Sequence, residues 1–503
     1  MRTKKAFYNL IAQMIYEIVA MVCGLILPRF ILSAFGSSYN GMISSIAQFL
    51  DYISVLTLGI SGSTRIAIYK ANASNDPYKV SAILKATEQY MRKVASIFIL
   101  YLIILSVVYP FIVRNEFQWG EVASLVVIIG LGTFAEYFFG ITYKTFLMAN
   151  QSMYIYNIIQ VASKIMNTLI SVVLILLNQK IQVVKLGSAI CFVATPIILN
   201  CVVRKKYHII KNVEPDNSAL KQRNEVMAHS IANTIHQYTD IFLLTIFTTS
   251  ATVSVYTVYN LVLSSLRKLQ HVFTTGLEAA FGDLWAHEEY DRFEKNFNIF
   301  EFLIFSFVSV VFSCTAVLII PFVSLYTKNV TDINYILPIY AGVAVFTEAF
   351  FCIRMPYLIA VQAAGRYKET RNGAFLESTL NFFVSLAAIY KYGLIGVVLG
   401  TMAANIFRTI QYAFYLSKKL LNRSIGVFIR KCIWTLLNIS ITLAVHSVLL
   451  NLPIVSWSEW IVAGLLTAVL ACGLVILSAF IFYRQCFFQS YRIFLKMFRR
   501  KRI

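Results

Sequence analysis

The chain has 503 residues, of which 58% are hydrophobic and only 13% are charged, and its mean hydropathy is +0.70. This composition excludes a water-soluble protein, which would have to expose a very large apolar surface. The formal net charge of +21 is carried mainly by short loops between apolar segments. It therefore requires no nucleic-acid partner, and the loops leave no room for a soluble catalytic domain.

Apolar segments near the ~20 residues that cross a bilayer as a helix follow one another along the whole chain. In the first half they are residues 8–32, 40–66, 90–113, 121–148, 154–178 and 184–203. In the second half they are residues 222–248, 252–275, 298–325, 333–363, 372–391, 394–416, 430–451 and 457–483. We number these segments as spans 1 to 14. They predict an all-α integral membrane protein with about 14 transmembrane helices.

Lysines and arginines lie mostly on one side of this predicted topology. Of the 44 such residues, 34 lie on the side of the two termini, in the terminal segments, in loops or near the span ends beside those loops, and five lie on the other side. Cytoplasmic loops are enriched in Lys and Arg, so the rich side is predicted to be cytoplasmic, with both termini there. A missing or extra span would put the basic loops out of phase, so the distribution also supports an even number of spans.

Residue patterns of spans 1 to 6 recur in spans 7 to 12 at a nearly constant separation along the chain. The repeated pairs include Glu136 with Glu348, Asn167 with Asn381, Ser171 with Ser385, Ser188 with Thr401, and Gly59 with Gly276. A shift of six helices preserves direction through the membrane, so the pattern predicts two parallel six-helix repeats. The predicted parts are the repeats at 1–211 and 212–421, an additional C-terminal helix pair at 422–483, and a basic cytoplasmic tail at 484–503.

Five cations remain inside the predicted spans, namely Arg29, Arg65, Lys164, Arg354 and Arg408. An ionisable side chain near the bilayer centre costs at least ~2.5 to 3.5 kcal/mol on insertion scales, so it should face protein or a wet cavity and is a candidate for function. Arg29 and Arg65 lie near span ends, where snorkelling to the interface explains them equally well. The acids well inside spans are Glu17, Asp51, Glu136, Asp240 and Glu348.

Two predicted spans carry polar residues at steps of three and four, which places them on one helix face. The polar stripe of span 5 is Asn157, Gln160, Lys164, Asn167 and Ser171, and that of span 7 is His229, Asn233, His236 and Asp240. Two such stripes predict a hydrated cavity between the halves. The alternative is a set of interhelical hydrogen bonds that hold the bundle together.

The eight cysteines show no metal-ligand spacing and mostly lie within apolar spans. Small hydrophobic packing residues are the commoner role for cysteines in such positions. The sequence therefore predicts no metal, no disulfide and no cofactor.

Two local sequences support a resemblance to a known family. One is Arg-Met-Pro-Tyr at 354–357, which leads to Gln-Ala-Ala-Gly-Arg-Tyr-Lys at 362–368, and the other is the glycine-patterned segment 393–401 in span 12. With the duplicated halves, the extra helix pair and the buried cations, the chain resembles the polysaccharide (oligosaccharide) flippases. These form the Wzx-like branch of the multidrug/oligosaccharidyl-lipid/polysaccharide (MOP) exporter superfamily.

The resemblance implies a flippase, not an enzyme. Its cargo would be an undecaprenyl-diphosphate-linked oligosaccharide repeat unit, carried across the bacterial cytoplasmic membrane for capsule, O-antigen or exopolysaccharide biosynthesis. Alternating access would come from rocking of the two halves. The implied partners are the lipid-linked cargo, membrane lipids, and the polysaccharide polymerase and chain-length machinery.

The expected substrate site follows from this cargo, because a diphosphate and sugars must be shielded from hydrocarbon. The residues expected to bind the anionic head group are Arg29, Arg65, Lys164, Arg354 and Arg408. The residues expected to meet sugar hydroxyls are Asn157, Gln160 and Asn167. The candidates for coupling to H⁺ or Na⁺ are Asp240, Glu136 and Glu348. Spans 13 and 14 are expected to flank a groove for the lipid tail.

Three alternatives stay open. A lipid II flippase of the same superfamily also predicts fourteen spans and a cationic cavity. A multidrug antiporter usually has twelve spans and an acidic cavity, which fits this chain less well. A membrane polysaccharide polymerase or glycosyltransferase typically has a large outer loop with catalytic residues, whereas the outer loops here, such as 35–40 and 326–333, are short and carry no paired carboxylates.

Overall fold

The computed structural model describes residues 2–499, except 58, 75, 208, 211, 221–233, 235–236, 275 and 451–452. The described chain is helical and contains no strand, which confirms the predicted all-α fold. Its first helices are α1 (Arg2–Asp51), α2 (Ile60–Ala73), α3 (Pro77–Ile112), α4 (Trp119–Ala135), α5 (Ile141–Ala149), α6 (Met153–Leu176) and α7 (Ile181–Lys206).

The remaining helices are α8 (Ser250–Thr274), α9 (Leu277–Ala286), α10 (Tyr290–Tyr326), α11 (Pro338–Ala363), α12 (Tyr367–Tyr392), α13 (Leu394–Tyr415), α14 (Gly426–Val445), α15 (Trp457–Phe482) and α16 (Arg484–Arg499). Residues 237–247 are also helical. Short 3-10 segments lie at Tyr52–Thr57 and Asn217–Leu220, and π-helical turns lie at Glu136–Gly140, Leu416–Leu420 and His446–Leu450.

Eleven helical segments among the described residues are long and apolar enough to cross a membrane. One of them, 7–57, contains predicted span 1 and most of span 2 in a single bent helix, and the end of span 2 lies in α2. Ten correspond one to one with predicted spans 3 to 6 and 9 to 14. Span 8 corresponds to α8, which is not among the eleven, and most of span 7 lies outside the described residues. The protein is thus a multi-pass membrane protein, as predicted.

The helix α15 shows how an apolar sequence is divided between lipid and protein. Its buried side chains are mostly small and recur every fourth residue, at Ala463, Thr467, Ala471, Val475 and Ala479. Large side chains on other faces are exposed, as expected for groups that contact lipid tails; Val469 is 72% exposed. The small face allows close packing against α10, where Trp460 Nε1 donates to the Leu318 carbonyl at 3.1 Å.

The chain forms two compact units. Unit 1 comprises residues 1–257 and 329–333, and unit 2 comprises 258–328 and 334–503. The additional helix pair, α14 and α15, belongs to unit 2, where both helices pack against α10. The division into repeats at residues 211 and 421 stays a prediction from the sequence.

The bend in α1 depends on Gly36, whose φ of 83° and ψ of 178° lie in a region that only glycine adopts readily. Asp332 holds the chain beyond the bend, because its carboxylate accepts from the Ser37 amide at 2.7 Å and from the Ser37 hydroxyl at 2.6 Å. A Cβ at position 36 would lie 2.9 Å from Asp332 Oδ2. Backbone strain and this contact therefore both select glycine.

The substitution Gly36→Ala should destabilise the protein by about 1 to 3 kcal/mol, because alanine would be held in a sparsely populated backbone region. The melting temperature of the purified protein in detergent measures the effect. Gly24→Ala in the same helix is the matched control, since a Cβ there meets no atom within 4 Å and alanine favours a helix interior. Equal melting temperatures for the two variants would contradict the role assigned to Gly36.

Candidate functional site

The polar stripe of α6 begins with contacts to α1. Asn157 is buried and its Nδ2 donates to Gln13 Oε1 at 2.9 Å. Gln13 Nε2 in turn donates to Glu17 Oε1 at 2.7 Å. The bond from Asn157 links two membrane helices, so the interhelical alternative applies to this residue.

Farther along α6, the polar residues of the stripe differ in their contacts. Ser171 shares a buried hydrogen bond of 3.0 Å with Ser188 of α7. Lys164 is half-buried, with Nζ 5.3 Å from the centre of the Phe192 ring. Asn167 is buried, and its Oδ1 has no hydrogen-bond partner among the described residues. Gln160 is half-buried and donates to the Tyr156 hydroxyl at 2.8 Å, within the same helix.

The other two predicted cations of unit 1 lie on separate helices. Arg29 is half-buried in α1. Arg65 is half-buried in α2, with Nη1 3.2 Å from Met148 Sδ. The assignment of both arginines and of Lys164 to the head group stays a prediction.

The three candidate coupling acids have different surroundings. Glu136 lies in a π-helical turn, where its carboxylate occupies the space beside Gly140; a Cβ on that glycine would lie 2.6 Å from Glu136 Oε2. Glu348 is buried in α11 and pairs with Arg267 at 3.2 Å, while its Oε1 has no hydrogen-bond partner in the described structure. Asp240 is buried and accepts from the Tyr256 hydroxyl at 3.0 Å.

The remaining members of the span 7 stripe, His229, Asn233 and His236, lie outside the described residues. The stripe as a whole therefore stays a prediction.

Within unit 2, two of the predicted cations meet at one carboxylate. Arg354 Nη1 of α11 lies 2.5 Å from Glu377 Oε1 of α12, and Arg408 Nε of α13 lies 3.3 Å from Glu377 Oε2. The three side chains are 7%, 2% and 10% exposed for Arg354, Arg408 and Glu377. Arg354 Nε is buried and has no acceptor among the described residues. The cluster thus buries two positive charges in direct contact with one negative charge, and Glu348 of α11 also interacts electrostatically with Arg354.

Arg408 makes several further bonds. Nη1 donates to the Thr370 carbonyl at 2.9 Å and to Gln411 Oε1 at 2.6 Å, and Nη2 donates to the Tyr412 hydroxyl at 2.7 Å. The guanidinium lies 4.2 Å from the centre of the Tyr412 ring. Gly373 of α12 leaves space for Gln411 and for this guanidinium, because a Cβ there would lie 1.8 Å from Gln411 Oε1 and 2.3 Å from Arg408 Nη1. The local sequence thus accommodates this arginine with hydrogen-bond acceptors and with a glycine beside it.

Glu377 was missed by the sequence prediction. Its position near the start of predicted span 11 is typical of an interfacial acid, whereas the structure buries it between two arginines. The repeat offers a signal that could have found it. The same offset that pairs Asn167 with Asn381 also places Glu377 opposite Ser163, so an acid replaces a small hydroxyl residue inside a membrane helix.

A second ionic cluster lies at the end of unit 2 that is predicted to face the cytoplasm. Glu301 of α10 is fully buried and pairs with Arg423 at 2.6 Å and with Lys431 of α14 at 2.5 Å. The Tyr357 hydroxyl of α11 also donates to this carboxylate. Burial lowers the pKa of Arg423, but the hydrogen bonds and negative charge of Glu301 raise it by more, so the guanidinium stays charged.

Unit 1 contains a related arrangement. The repeat places Glu88 opposite Glu301, and Tyr143 lies two positions before Thr145, the residue that the offset of Glu136 and Glu348 places opposite Tyr357. Arg204, near the end of α7, donates to the Tyr143 hydroxyl at 2.9 Å and lies 3.8 Å from Glu88. Both units thus contain a Glu, a Tyr and an Arg in contact. In unit 2, the additional ion pair of Lys431 with Glu301 joins α14 to α10.

An apolar cavity of about 370 Å³ lies between α10, α11 and α14. Residues that line it from the three helices include Phe312, Ile319, Val345, Phe350, Leu436 and Ile439. Its one hydroxyl-bearing lining residue among the described residues is Thr435. Ile353 also lines the cavity and directly precedes Arg354 on α11. A hydrocarbon ligand fits this lining, and the terminal helix pair supplies one of its walls.

These features describe a multi-pass helical membrane protein with buried ionic clusters, and its fold is similar to those of a lipid II flippase and of MATE transporters. The chain is similar to the lipid II flippase MurJ in an inward closed conformation, with a TM-score of 0.69 and 16% identity over 95% of this chain and 98% of that one. It is also similar to a mutant of the Vibrio cholerae MATE transporter VcmN, with a TM-score of 0.57 and 15% identity over 84% of this chain and 98% of that one.

A third similar structure is an inward-facing multidrug resistance MATE family transporter of the MOP superfamily, with a TM-score of 0.56 and 14% identity over 82% of this chain and 98% of that one. No family model and no curated protein sequence matches the chain. The likeness to solved structures establishes the fold, and the Wzx-like branch remains a resemblance in sequence.

Proposed function

We propose that this protein is a flippase that moves undecaprenyl-diphosphate-linked oligosaccharide repeat units across the bacterial cytoplasmic membrane, for capsule, O-antigen or exopolysaccharide assembly. Both termini lie in the cytoplasm, and transport proceeds by alternating access. The observation that carries the proposal is a buried arginine pair of unit 2, on α11 and α13, together with an apolar cavity that α11 forms with α10 and α14. One cargo with a diphosphate and a polyprenyl tail accounts for both features.

The head group is bound by arginine and lysine side chains. Arginine forms strong, directional hydrogen bonds to phosphate oxygens, and burial strengthens them. Arg354 has a buried Nε donor without an acceptor in the described structure, which suits it to this task. Arg29, Arg65 and Lys164 of unit 1 stay candidates from the sequence for binding the head group.

Sugar hydroxyls are bound by the stripe on α6. Asn167 Oδ1 is a buried acceptor with no donor among the described residues, and a sugar hydroxyl supplies one. Gln160 and Asn157 extend the stripe along the same helix. Unpaired polar atoms inside a membrane helix are costly, so a polar cargo is a physical reason for their retention.

The lipid tail occupies the apolar cavity between α10, α11 and α14. This cavity favours a flippase over a multidrug antiporter, because the additional helix pair forms one wall of it. The solved structures agree with this preference: the lipid II flippase matches 95% of this chain, whereas the two MATE transporters match 84% and 82%. The difference is comparable to the length of the additional pair.

Energy for transport comes from H⁺ or Na⁺ moving through Glu348, Glu136 or Asp240. Glu348 Oε1 lacks a hydrogen-bond partner among the described residues, so it offers an oxygen to a cation. The polymerase and chain-length machinery act on the delivered cargo in the outer leaflet and are the proposed protein partners.

Purified protein reconstituted in vesicles tests the function directly. A fluorescent undecaprenyl-diphosphate-linked oligosaccharide should equilibrate between leaflets faster than in protein-free vesicles, as measured by quenching with a membrane-impermeant reductant. Lipid II is assayed in parallel, because the likeness to MurJ makes a lipid II flippase the second candidate. Movement of lipid II alone would replace our proposal by that candidate, and movement of neither would overturn both.

The tail cavity makes a separate prediction. Leu436→Trp should slow flipping several-fold, because the indole enters the cavity that Leu436 lines. Leu437→Trp on the same helix is the matched control: Leu437 is 55% exposed and does not line the cavity. The same vesicle assay compares the two variants at equal protein level. Equal rates would exclude this cavity as the tail site.

A further inference from the structure

The charged residues Arg354, Glu377 and Arg408 have no charged counterparts in unit 1. The offset that pairs Glu136 with Glu348 places Arg354 opposite Thr142. The offset that pairs Asn167 with Asn381 places Glu377 opposite Ser163, and the one that pairs Ser188 with Thr401 places Arg408 opposite Thr195. All three counterparts in unit 1 are small residues with hydroxyl groups.

The contact itself is preserved between the units although its chemistry differs. In unit 1 the Thr195 hydroxyl donates to the Ser163 hydroxyl at 2.5 Å, and both side chains are buried. In unit 2 the equivalent contact is the ion pair of Arg408 with Glu377. A neutral hydrogen bond is thus sufficient at this contact between α6 and α7 of unit 1. The fold therefore does not require the charges.

The size of the residue beside this contact also differs between the two units. Gly373 leaves room for the Arg408 guanidinium, and the residue that the repeat places opposite Gly373 in unit 1 is Ile159. By contrast, the Glu and Tyr of the other ionic cluster occur in both units. Of these two clusters, only that of Arg354, Glu377 and Arg408 has no charged residue at any equivalent position of unit 1, which points to function and not to folding.

We propose that Glu377 is an internal counter-ion that occupies the arginine pair when no cargo is bound, and that the phosphate group of an anionic lipid head group displaces it. This inference rests on the proposed function and names the residue with which the cargo exchanges. Two buried guanidiniums without a counter-charge strongly destabilise the folded protein. A carboxylate in the same site stabilises the empty carrier and competes with the cargo, which promotes its release.

The geometry suits such an exchange. Glu377 contacts Arg354 and Arg408 through different oxygens, as one phosphate group also can. The carboxylate is about nine-tenths buried, so its bonds to the arginines are scarcely weakened by solvent. Arg354 Nε, which donates neither to Glu377 nor to any other described residue, provides an additional donor for a group with more oxygens than a carboxylate.

Binding of inorganic diphosphate to the full-length protein in detergent tests the exchange, with isothermal titration calorimetry as the measurement. Glu377→Gln should bind diphosphate about tenfold or more tightly than the wild type, since a competing charge-assisted interaction is removed. Glu377→Asp keeps the charge but shortens the side chain, and should give an intermediate affinity. It also decides the question if the glutamine variant does not fold. The double variant Arg354→Gln with Arg408→Gln should lose binding.

Two failures are distinguishable. If Glu377→Gln and Glu377→Asp bind diphosphate no more tightly than the wild type while the double arginine variant loses binding, the exchange is wrong and the head-group site stands. If the double arginine variant binds as well as the wild type, the head-group site in the proposed function is wrong as well.

Discussion

Replacing Arg354, Glu377 and Arg408 together by threonine, serine and threonine should abolish transport and yet leave a folded protein in the membrane. The three new residues are those that unit 1 has at the equivalent positions. Loss of two arginines that each contribute about 1.5 to 3 kcal/mol through charge-assisted hydrogen bonds lowers transport by about 100-fold or more. The triple variant buries no unpaired charge but leaves the space beside Gly373 unfilled, so its melting temperature should fall only by the cost of that cavity.

The single variant Glu377→Ser is the informative contrast. It leaves Arg354 and Arg408 buried without their carboxylate, which should cost about 3 to 5 kcal/mol. Melting in detergent compares the two variants, and the vesicle assay compares their flipping rates. A triple variant less stable than the single one would contradict the view that the charges are dispensable for folding. Wild-type flipping by the triple variant would remove these arginines from the transport site.

The sequence was sufficient for the membrane class, the helical fold and the placement of Arg354 and Arg408 inside membrane spans. Hydropathy predicts spans because lipid contact demands apolar surface over a fixed length. It could not predict Glu377 as the partner of Arg354 and Arg408, because ion pairing depends on which faces of α11, α12 and α13 meet. Comparing the repeats position by position supplies part of that information, since a charge present in one half alone is visible in sequence.

The charge distribution was informative about topology and less so about individual residues. The sequence places Arg423 and Lys431 among the loop cations, whereas the structure buries both beside Glu301. A cation near a helix end has the same sequence signature whether it faces lipid head groups or a buried carboxylate. Only packing of α14 against α10 separates the two cases.

Glu301→Gln is expected to produce the largest loss of stability among single substitutions at the predicted cytoplasmic end. The glutamine would leave Arg423 and Lys431 without a counter-charge at a site where Glu301 is fully buried. A loss of about 3 to 5 kcal/mol follows from an uncompensated buried pair. The melting temperature in detergent measures it. Lys431 joins α14 to α10, so loss of its ion pair should loosen the packing of α14. Alkylation of the half-buried Cys432, measured by mass spectrometry, should therefore also become faster.

The repeat provides the control for this prediction. Glu88 occupies the equivalent position in unit 1, but its side chain is 23% exposed and Arg204 lies 3.8 Å away. Glu88→Gln should therefore cost no more than about 1 kcal/mol, as is usual for ion pairs that water reaches. If Glu301→Gln and Glu88→Gln have equal melting temperatures, burial does not determine the strength of these clusters. If Glu301→Gln melts early but leaves the alkylation of Cys432 unchanged, the ion pairs stabilise unit 2 without holding α14, and the wall of the tail cavity depends on apolar packing alone.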